Sequence, residues 1–553
     1  MFNFDTEHSK LNSNLENPPI LRLPSEILDH CWSYLRRRDL FQVSGVSRVF
    51  WYTSRSRIFQ SLNVTLPSLA VLPLNQNLVR RSTNKAPKML ERAATRITSF
   101  YSDPSAGELW DMVQDWTVST APAIRNSMFF FARSQEKNLA SRSVDAIFPF
   151  LTCSRNLRSL ELVRVNLGRQ QWIIIECLPA LDTLRLISCL FPPSSHLERP
   201  LKLKELAIAG DNFGPRSIEE RLVSVLCNPT YLQKLTLIDF LVTHTVLAVL
   251  SSMAPFPHLT YLSIFVTSPS RDHFFRFLAA TPALATLRIF PWSANITPPH
   301  PLPPLSSLRS YDGYPNLLSY IVPGRPVDCV CLVLMMVTTD DDQPDYAIHT
   351  ELVSTVRDIS RSTVPVRKLA IEYFLPTLDN LAAIAKHLPD LHRLDLGLIS
   401  GPPPLTPVSV IFAFILCNFV HASLSPQEEI ITLSESSSEF GLDYTSEPLD
   451  TVDTMQVRRI ADKAMLQRKS FQGLLSWLAE GRAPLPPKLV TLRLSHSLTG
   501  NEDIQCAEGV KQRKLVRCLH SRYPTLREVE MGGCRWWREG VYWSREILEF
   551  EET

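Results

Sequence analysis

Apolar positions along this chain follow two different rhythms. Between Leu21 and Leu62 they recur three or four residues apart, the spacing of one helix face. Pro24 stands where a first helix begins, its fixed φ and missing N–H harmless there, and Glu26 suits the positive end. Ile27, Cys31, Tyr34 and Leu35 then form one apolar stripe. Arg36, Arg37 and Arg38 interrupt it, and Asp39 as N-cap predicts a second helix carrying Leu40, Val43 and Val46. Ser47 predicts the cap of a third, with Phe50 and Trp51 turned toward apolar partners.

From residue 157 the pattern becomes Leu-x-x-Leu-x-Leu, with apolar substitutes. Leu157/Leu160/Leu162, Leu181/Leu184/Leu186, Leu203/Leu206/Ile208, Leu232/Leu235/Leu237, Leu259/Leu262/Ile264 and Leu284/Leu287/Ile289 fit it in succession. Val366/Leu369/Ile371, Leu391/Leu394/Leu396, Leu489/Leu492/Leu494 and Leu526/Val529/Met531 follow later. Leu308–Tyr311 and Val327–Leu332 read as degenerate units. Helical patterns lie between the strands, starting at Glu220, His244, Arg271 and Asn380, and Pro179, Pro257, Pro282 and Pro389 each precede a strand. Before the array, Lys85–Tyr101 and Gly107–Trp116 also read as helices.

The first stretch resembles an F-box. Leu23–Pro24, Ile27–Leu28, Leu35, Asp39–Leu40, Val46–Ser47–Arg48 and Phe50–Trp51 match that family's pattern in order and spacing over less than a tenth of the chain. The resemblance implies docking onto a Skp-type adaptor, and through it a cullin–RING ubiquitin ligase. It further implies that Leu23, Pro24, Ile27, Leu28, Leu35, Leu40, Val46 and Phe50 meet the adaptor or hold the helices that do. Gly45 departs from the larger residue common before Val-Ser, which loosens the second helix and bears on adaptor affinity.

The second pattern has the period of leucine-rich repeats, whose strand–helix units bury their apolar faces only by stacking. Cys189 and Cys534, three residues past the last apolar strand position, fall where such repeats place Asn or Cys to bond the turning backbone. The irregular, proline-punctuated units resemble the large F-box families of mushroom-forming fungi. The expected fold class is therefore α joined to α/β: a three-helix F-box, then an irregular leucine-rich-repeat solenoid.

The domain plan is a disordered N-terminus at 1–17, the F-box at 18–62, a helical linker region at 63–150 and repeats at 151–400. An insertion at 401–485 precedes C-terminal repeats and a cap at 486–553. Within the insertion, Val408–Leu424 runs without Asp, Glu, Lys or Arg and leaves three readings open. They are a membrane-crossing segment, a buried helix, and translation of an unspliced intron. Ser425–Asp453 holds eight carboxylates and no Lys or Arg, a composition that predicts disorder, and residues 455–481 read as an amphipathic helix. Trp536, Trp537 and Trp543 are expected to cover the end of the array.

Composition narrows the function. A net charge of +2 over 553 residues gives no global pull toward nucleic acid or an anionic membrane. Forty-two prolines against seventeen glycines fit stiff connections between short elements. Eleven scattered cysteines without a CxxC pair suit a reducing compartment, and the N-terminus lacks a secretory pattern, so cytoplasm or nucleus is expected. No phosphate loop, dinucleotide fingerprint, nucleophile elbow or HExxH occurs; neither a catalytic role, a metal nor a cofactor is expected.

Binding is the better-founded chemistry. Strand alternation sends the leucines inward and the intervening residues to the open face. Arg185, Tyr261, Phe265, Arg288, Phe290 and Asp395 are the candidate target-binding residues there, since aromatic and arginine side chains dominate interface hot spots. Two functions follow. The chain is either the substrate receptor of an SCF-type ubiquitin ligase or a repeat scaffold for protein–protein interaction not coupled to ubiquitination.

Overall fold

In a computed structural model the chain is described at residues 20, 23–66, 95, 107–120, 145, 147–191, 199–210, 220–238, 240–253, 255–291, 302, 304–333, 347–374, 376–398, 473–496, 509–531, 534–540 and 542–547. The expectations for 1–17, for Lys85–Tyr101 apart from Thr95, for Val408–Leu424, for Ser425–Asp453 and for 455–472 lie outside these residues. Residues 473–480 are helical. Two compact units form, one from Met1–Gly210 with Arg216–Asn228, the other from Asp211–Pro215 with Pro229–Thr553.

The first unit opens with α1 (Ser25–Trp32), α2 (Arg37–Ser44) and α3 (Arg48–Gln60). Ser47 caps α3 as its sequence position predicts, its Oγ accepting from the Phe50 N–H at 3.1 Å. Leu28, Trp32, Leu40, Phe50 and Ile58 make the core of this trio, with Leu35, Val43 and Phe59 packed against it. The buried stripe of α1 is thus Leu28, Trp32 and Leu35. Ile27, Cys31 and Tyr34, which the spacing groups with Leu35 in one stripe, are exposed instead of joining it in the core. The reason is Trp32, which is the larger apolar group and sets its face by an edge-on ring contact to Phe50 at 5.3 Å. Val46, expected on the second helix, follows its end and is exposed.

α3 runs directly into β1 (Ser61–Leu66), followed by α4 (Gly107–Trp110), β2 (Asp115–Thr120) and β3 (Ser159–Val163). After them come α5 (Arg169–Glu176), β4 (Thr183–Ile187), β5 (Glu205–Ala209) and α6 (Glu220–Leu226). β1 to β5 pair in chain order, all parallel. The expected helix Gly107–Trp116 therefore stops after one turn, and the region 63–150 is not simply helical. Its strands meet the same six-residue template: Phe59-x-x-Leu62-x-Val64 and Val113-x-x-Trp116-x-Val118. Register confirms the match, with Trp116 beside Leu160 and Val118 beside Leu162.

The second unit comprises β6 (Lys234–Ile238), α7 (Phe240–Leu250), β7 (Tyr261–Val266), α8 (Arg271–Ala279), β8 (Thr286–Pro291) and β9 (Ser310–Gly313). It continues with α9 (Pro315–Ile321), β10 (Cys329–Val333), α10 (Ala347–Ile359), β11 (Lys368–Phe374), α11 (Leu378–His387) and β12 (Arg393–Leu398). β13 (Thr491–His496), α12 (Gly509–Arg522), β14 (Glu528–Met531), β15 (Cys534–Glu539) and β16 (Tyr542–Ile547) complete it. β6 to β14 are parallel neighbours in chain order, whereas β15 and β16 return antiparallel. The helix expected from His244 begins earlier, at Phe240.

One inward row runs Leu235, Leu262, Leu287, Tyr311, Val330, Leu369, Leu394, Leu492 and Val529, each buried. The backbone repeats with it. Two successive N–H groups before a strand share one carbonyl of the previous unit, as Ala285 and Thr286 do at Thr260 O, and His392 and Arg393 at Arg367 O. The degenerate unit at β9 exchanges sizes: Tyr311 replaces a leucine, and Gly313 leaves room for it. A Cβ at Gly313 would come within 3.0 Å of the Tyr311 hydroxyl and Ile289 O. That hydroxyl donates to Tyr314 O at 3.0 Å.

The cysteine expectation divides. Cys189 is buried and its thiol donates to Leu162 O at 3.1 Å, joining adjacent units at the turn. Cys534 instead opens an antiparallel strand and accepts from the Arg545 guanidinium at 2.9 and 3.2 Å. The reversal at β15 leaves no turning backbone there. Trp536 is buried in this final hairpin, while Trp537 and Trp543 are half-buried.

Candidate functional site

Two surfaces carry the chemistry, one in each unit. On the N-terminal helices, Leu28, Leu40 and Phe50 are core residues at 2%, 4% and 6% exposure. They support the helices rather than offer a contact. Leu35 is half-buried, Pro24 is exposed, and Leu23, Ile27 and Val46 are exposed at 40%, 48% and 73%. Among the described residues, eight of the thirteen exposed large apolar side chains fall between Ile20 and Tyr52. Phe41, Val49 and Tyr52, which the sequence reading passed over, belong to this set.

Ile27 and Cys31 on α1 and Tyr34 just past it are spaced as one helical face, so an exposed apolar row runs alongside the buried one. Well-folded surfaces scatter such residues singly; a concentration of them marks a place that something covers. The frame beneath is firm. Trp32 Nε1 donates to Thr53 Oγ1 at 3.0 Å, and Arg57 grips Asp29 with a fork at 2.7 and 2.9 Å, tying α3 to α1. The Arg57 hydrogen bond holds the Asp29 carboxyl below the usual carboxylate range.

On the strand face of the second unit, register brings Tyr261, Arg288 and Phe290 onto adjacent strands β7 and β8, as expected. Arg288 lies over the Phe290 ring at 4.7 Å, and its Nε is 2.8 Å from Asp312 Oδ2. Phe265 does not join the open face; it is 7% exposed. Register places Phe265 beside Phe290 and Ser263 beside Arg288, and the larger neighbours close over β7. Asp395 sits on β12, four strands on, about 19 Å away at ordinary strand spacing, and is held by Arg393 Nε at 2.9 and 3.0 Å. Arg185 belongs to the first unit, between Glu205 at 2.9 Å and Glu161 at 3.8 Å.

Three residues absent from the expected set extend the Arg288 cluster: Asp312, Cys331 and Glu372. Asp312 and Cys331 are register partners on β9 and β10. Alternation in LRSYDG and VDCVCL was the signal for both. Lost hydration raises the Asp312 carboxyl above its ordinary range despite the attraction of Arg288, and it raises Glu372 as well. Burial, then the two carboxylates, push the Cys331 thiol far up. No group of His, Cys, Asp and Glu among the described residues is placed to hold a metal.

Asp312 supplies a pH prediction. Its folded-state pKa lies above the unfolded value, so its stability contribution is greatest below about pH 4 and declines as pH rises through the folded value. Melting temperatures measured from about pH 3 to pH 7 are expected to show the wild type losing ground to Asp312→Asn as pH increases. A difference that is constant with pH counts against this.

Toward β13–β15 the charges of the face are paired. Arg493 lies 3.2 Å from Glu530 and 3.5 Å from Glu528, and Arg535 reaches Glu528 at 2.9 Å. Compared with known proteins, the chain matches no family model and no curated protein. No helix among the described residues is long and apolar enough to cross a membrane.

Proposed function

We propose that this chain is a substrate receptor of a cullin–RING ubiquitin ligase. Its N-terminal helices are an F-box that docks on a Skp-type adaptor, and its strand–helix units are leucine-rich repeats that hold the target protein. The observation carrying this reading is the exposed apolar row of Ile27, Cys31 and Tyr34, with Leu23 before it and exposed Val46 after α2, on helices whose own core is already filled. The motif residues divide accordingly. Leu28, Leu40 and Phe50 build the frame, and Leu23, Ile27 and Val46 remain for the adaptor.

The receptor performs no bond chemistry in this scheme. It raises the local concentration of a target near a ubiquitin-loaded enzyme and fixes its orientation. Arg288, Phe290 and Tyr261 form the centre of the target-contact face, with Asp312 orienting the guanidinium.

Co-purification with a Skp-type adaptor tests the proposal. The intact chain is expected to retain the adaptor. Ile27→Asp/Val46→Asp is expected to weaken it about a hundredfold or more, because an unpaired charge would enter an apolar interface. Both positions are exposed, so circular dichroism and melting should not change. Failure of the intact chain to bind overturns the ligase reading. Turnover of a captured target that persists when the cullin is blocked favours an uncoupled scaffold.

A further inference from the structure

In the second unit the residues just before the parallel strands stand in one row, fixed by the backbone. Asp328 N–H donates to Arg309 O, Arg367 to Asp328 O, His392 to Arg367 O, Val490 to His392 O and Arg527 to Val490 O, each at 2.8 or 2.9 Å. The same ladder reaches back from Arg309 through Ala285 and Thr260 to Gln233, none of them charged. From Arg309 onward the row is basic. Arg309, Arg367, His392 and Arg527 are exposed, against one half-buried carboxylate, Asp328. Among the described residues none of these three arginines forms an ion pair. Arg288, Arg393, Arg493 and Arg535 within the strands each have a carboxylate.

The chain around this rim is described. The helix-to-strand connections 322–328, 360–367, 388–392, 481–490 and 523–527 contain two carboxylates, and one of them, Asp390, is held by Lys488 at 2.6 Å. Residues 292–303, which lead toward Arg309, have no Asp or Glu. The acidic stretches 340–345, 425–453, 502–508 and 549–552 follow β10, β12, β13 and β16 at the other ends of those strands.

Spacing narrows the partner. Arg309 and Arg367 are two strands apart, about 10 Å, and Arg527 lies about 24 Å from Arg309 at ordinary strand spacing. An extended peptide of the polyproline type rises ~3.1 Å per residue with three residues per turn, so carboxylates three apart line one side at ~9 Å intervals. About eight residues cover the row.

We infer that the rim from Arg309 to Arg527 binds an extended acidic peptide segment of a partner protein, its carboxylates three to four residues apart. It rests on the proposed function only in making that partner the ligase target. The row starts one strand beyond Arg288 and Phe290, so one target can reach both. Single-stranded nucleic acid fits less well. Neither the row nor the first residue of any strand from β9 to β14 is Phe, Tyr or Trp, so bases have no stacking platform, and Asp328 stands between the first two arginines.

Fluorescence anisotropy with the intact chain, in the absence of adaptor, tests this. The labelled probe carries Glu at its first, fourth and eighth positions and Gly or Ser elsewhere. It is expected to bind at low ionic strength, to weaken about tenfold in ~0.3 M salt, and not to bind with Gln in place of Glu. Arg309→Ala/Arg367→Ala/Arg527→Ala should weaken it about tenfold, with circular dichroism and melting unchanged. Arg513→Ala/Arg517→Ala removes two exposed charges from α12 and should leave binding as it is. Absence of binding, an equal loss in the α12 variant, or tighter binding of single-stranded oligothymidylate through the same three arginines overturns the inference. A chain that binds the peptide but retains no adaptor keeps this surface and loses only the ligase reading.

Discussion

Trp32→Ala is expected to melt the N-terminal helices while leaving the parallel strands of the first unit folded. Trp32 is buried against Phe50, and its indole N–H is satisfied by Thr53. Removing the ring takes away transfer energy and leaves a cavity, a loss of about 3–5 kcal/mol. α1 and α2 have eight residues each, too short to persist without tertiary packing. Their stability comes from five buried side chains, of which Trp32 is the largest. β1 to β5 keep their own rows, including Trp116, Leu160, Leu184 and Leu206. Limited proteolysis should open the chain at Arg36–Arg38, while amide protection of β3 and β4 survives. Uniform loss of protection across the unit counts against this local account.

Leu394→Ala is expected to destabilise the second unit strongly. Leu394 has no exposure and sits on β12 between Leu369 and Leu492 in register. Leucine-to-alanine truncation at such a site costs about 2–5 kcal/mol. Repeats interact chiefly with their neighbours, so the damage should be graded along the chain. Amide exchange should accelerate most in β11, β12 and β13, and least in β6 and β7. Equal acceleration in all strands would show instead that the unit opens as a single body.

The strands that sequence revealed were those whose inward residues are leucine or isoleucine. β1 and β2 obey the same template but fill it with Phe59, Val64, Val113 and Trp116, so an eye set on leucine reads helix there. β9 was faint because tyrosine and glycine share one volume between two positions. α1 and the residues after it carry two adjacent apolar rows of similar spacing. Periodicity marks both and cannot say which one a neighbour covers; that depends on where Phe50 of α3 arrives. The Arg288 and Phe290 pair was legible from alternation, whereas the burial of Phe265 depends on the sizes of its lateral neighbours. Asp312 and Cys331 lie in degenerate units where Tyr311, Gly313, Val327 and Val330 stand at template positions, so their outward places are harder to read.

The step from β12 to β13 has a practical meaning. Residues 399–490 intervene, yet Arg393–Leu398 and Thr491–His496 meet in six consecutive register pairs. Side-chain stacking, not connection length, fixes where the chain re-enters the sheet, because each doubling of a loop adds only about 0.6 kcal/mol. This junction is a natural cassette site. A reporter or binding module spliced there would be carried by the array without shifting any strand against its neighbour.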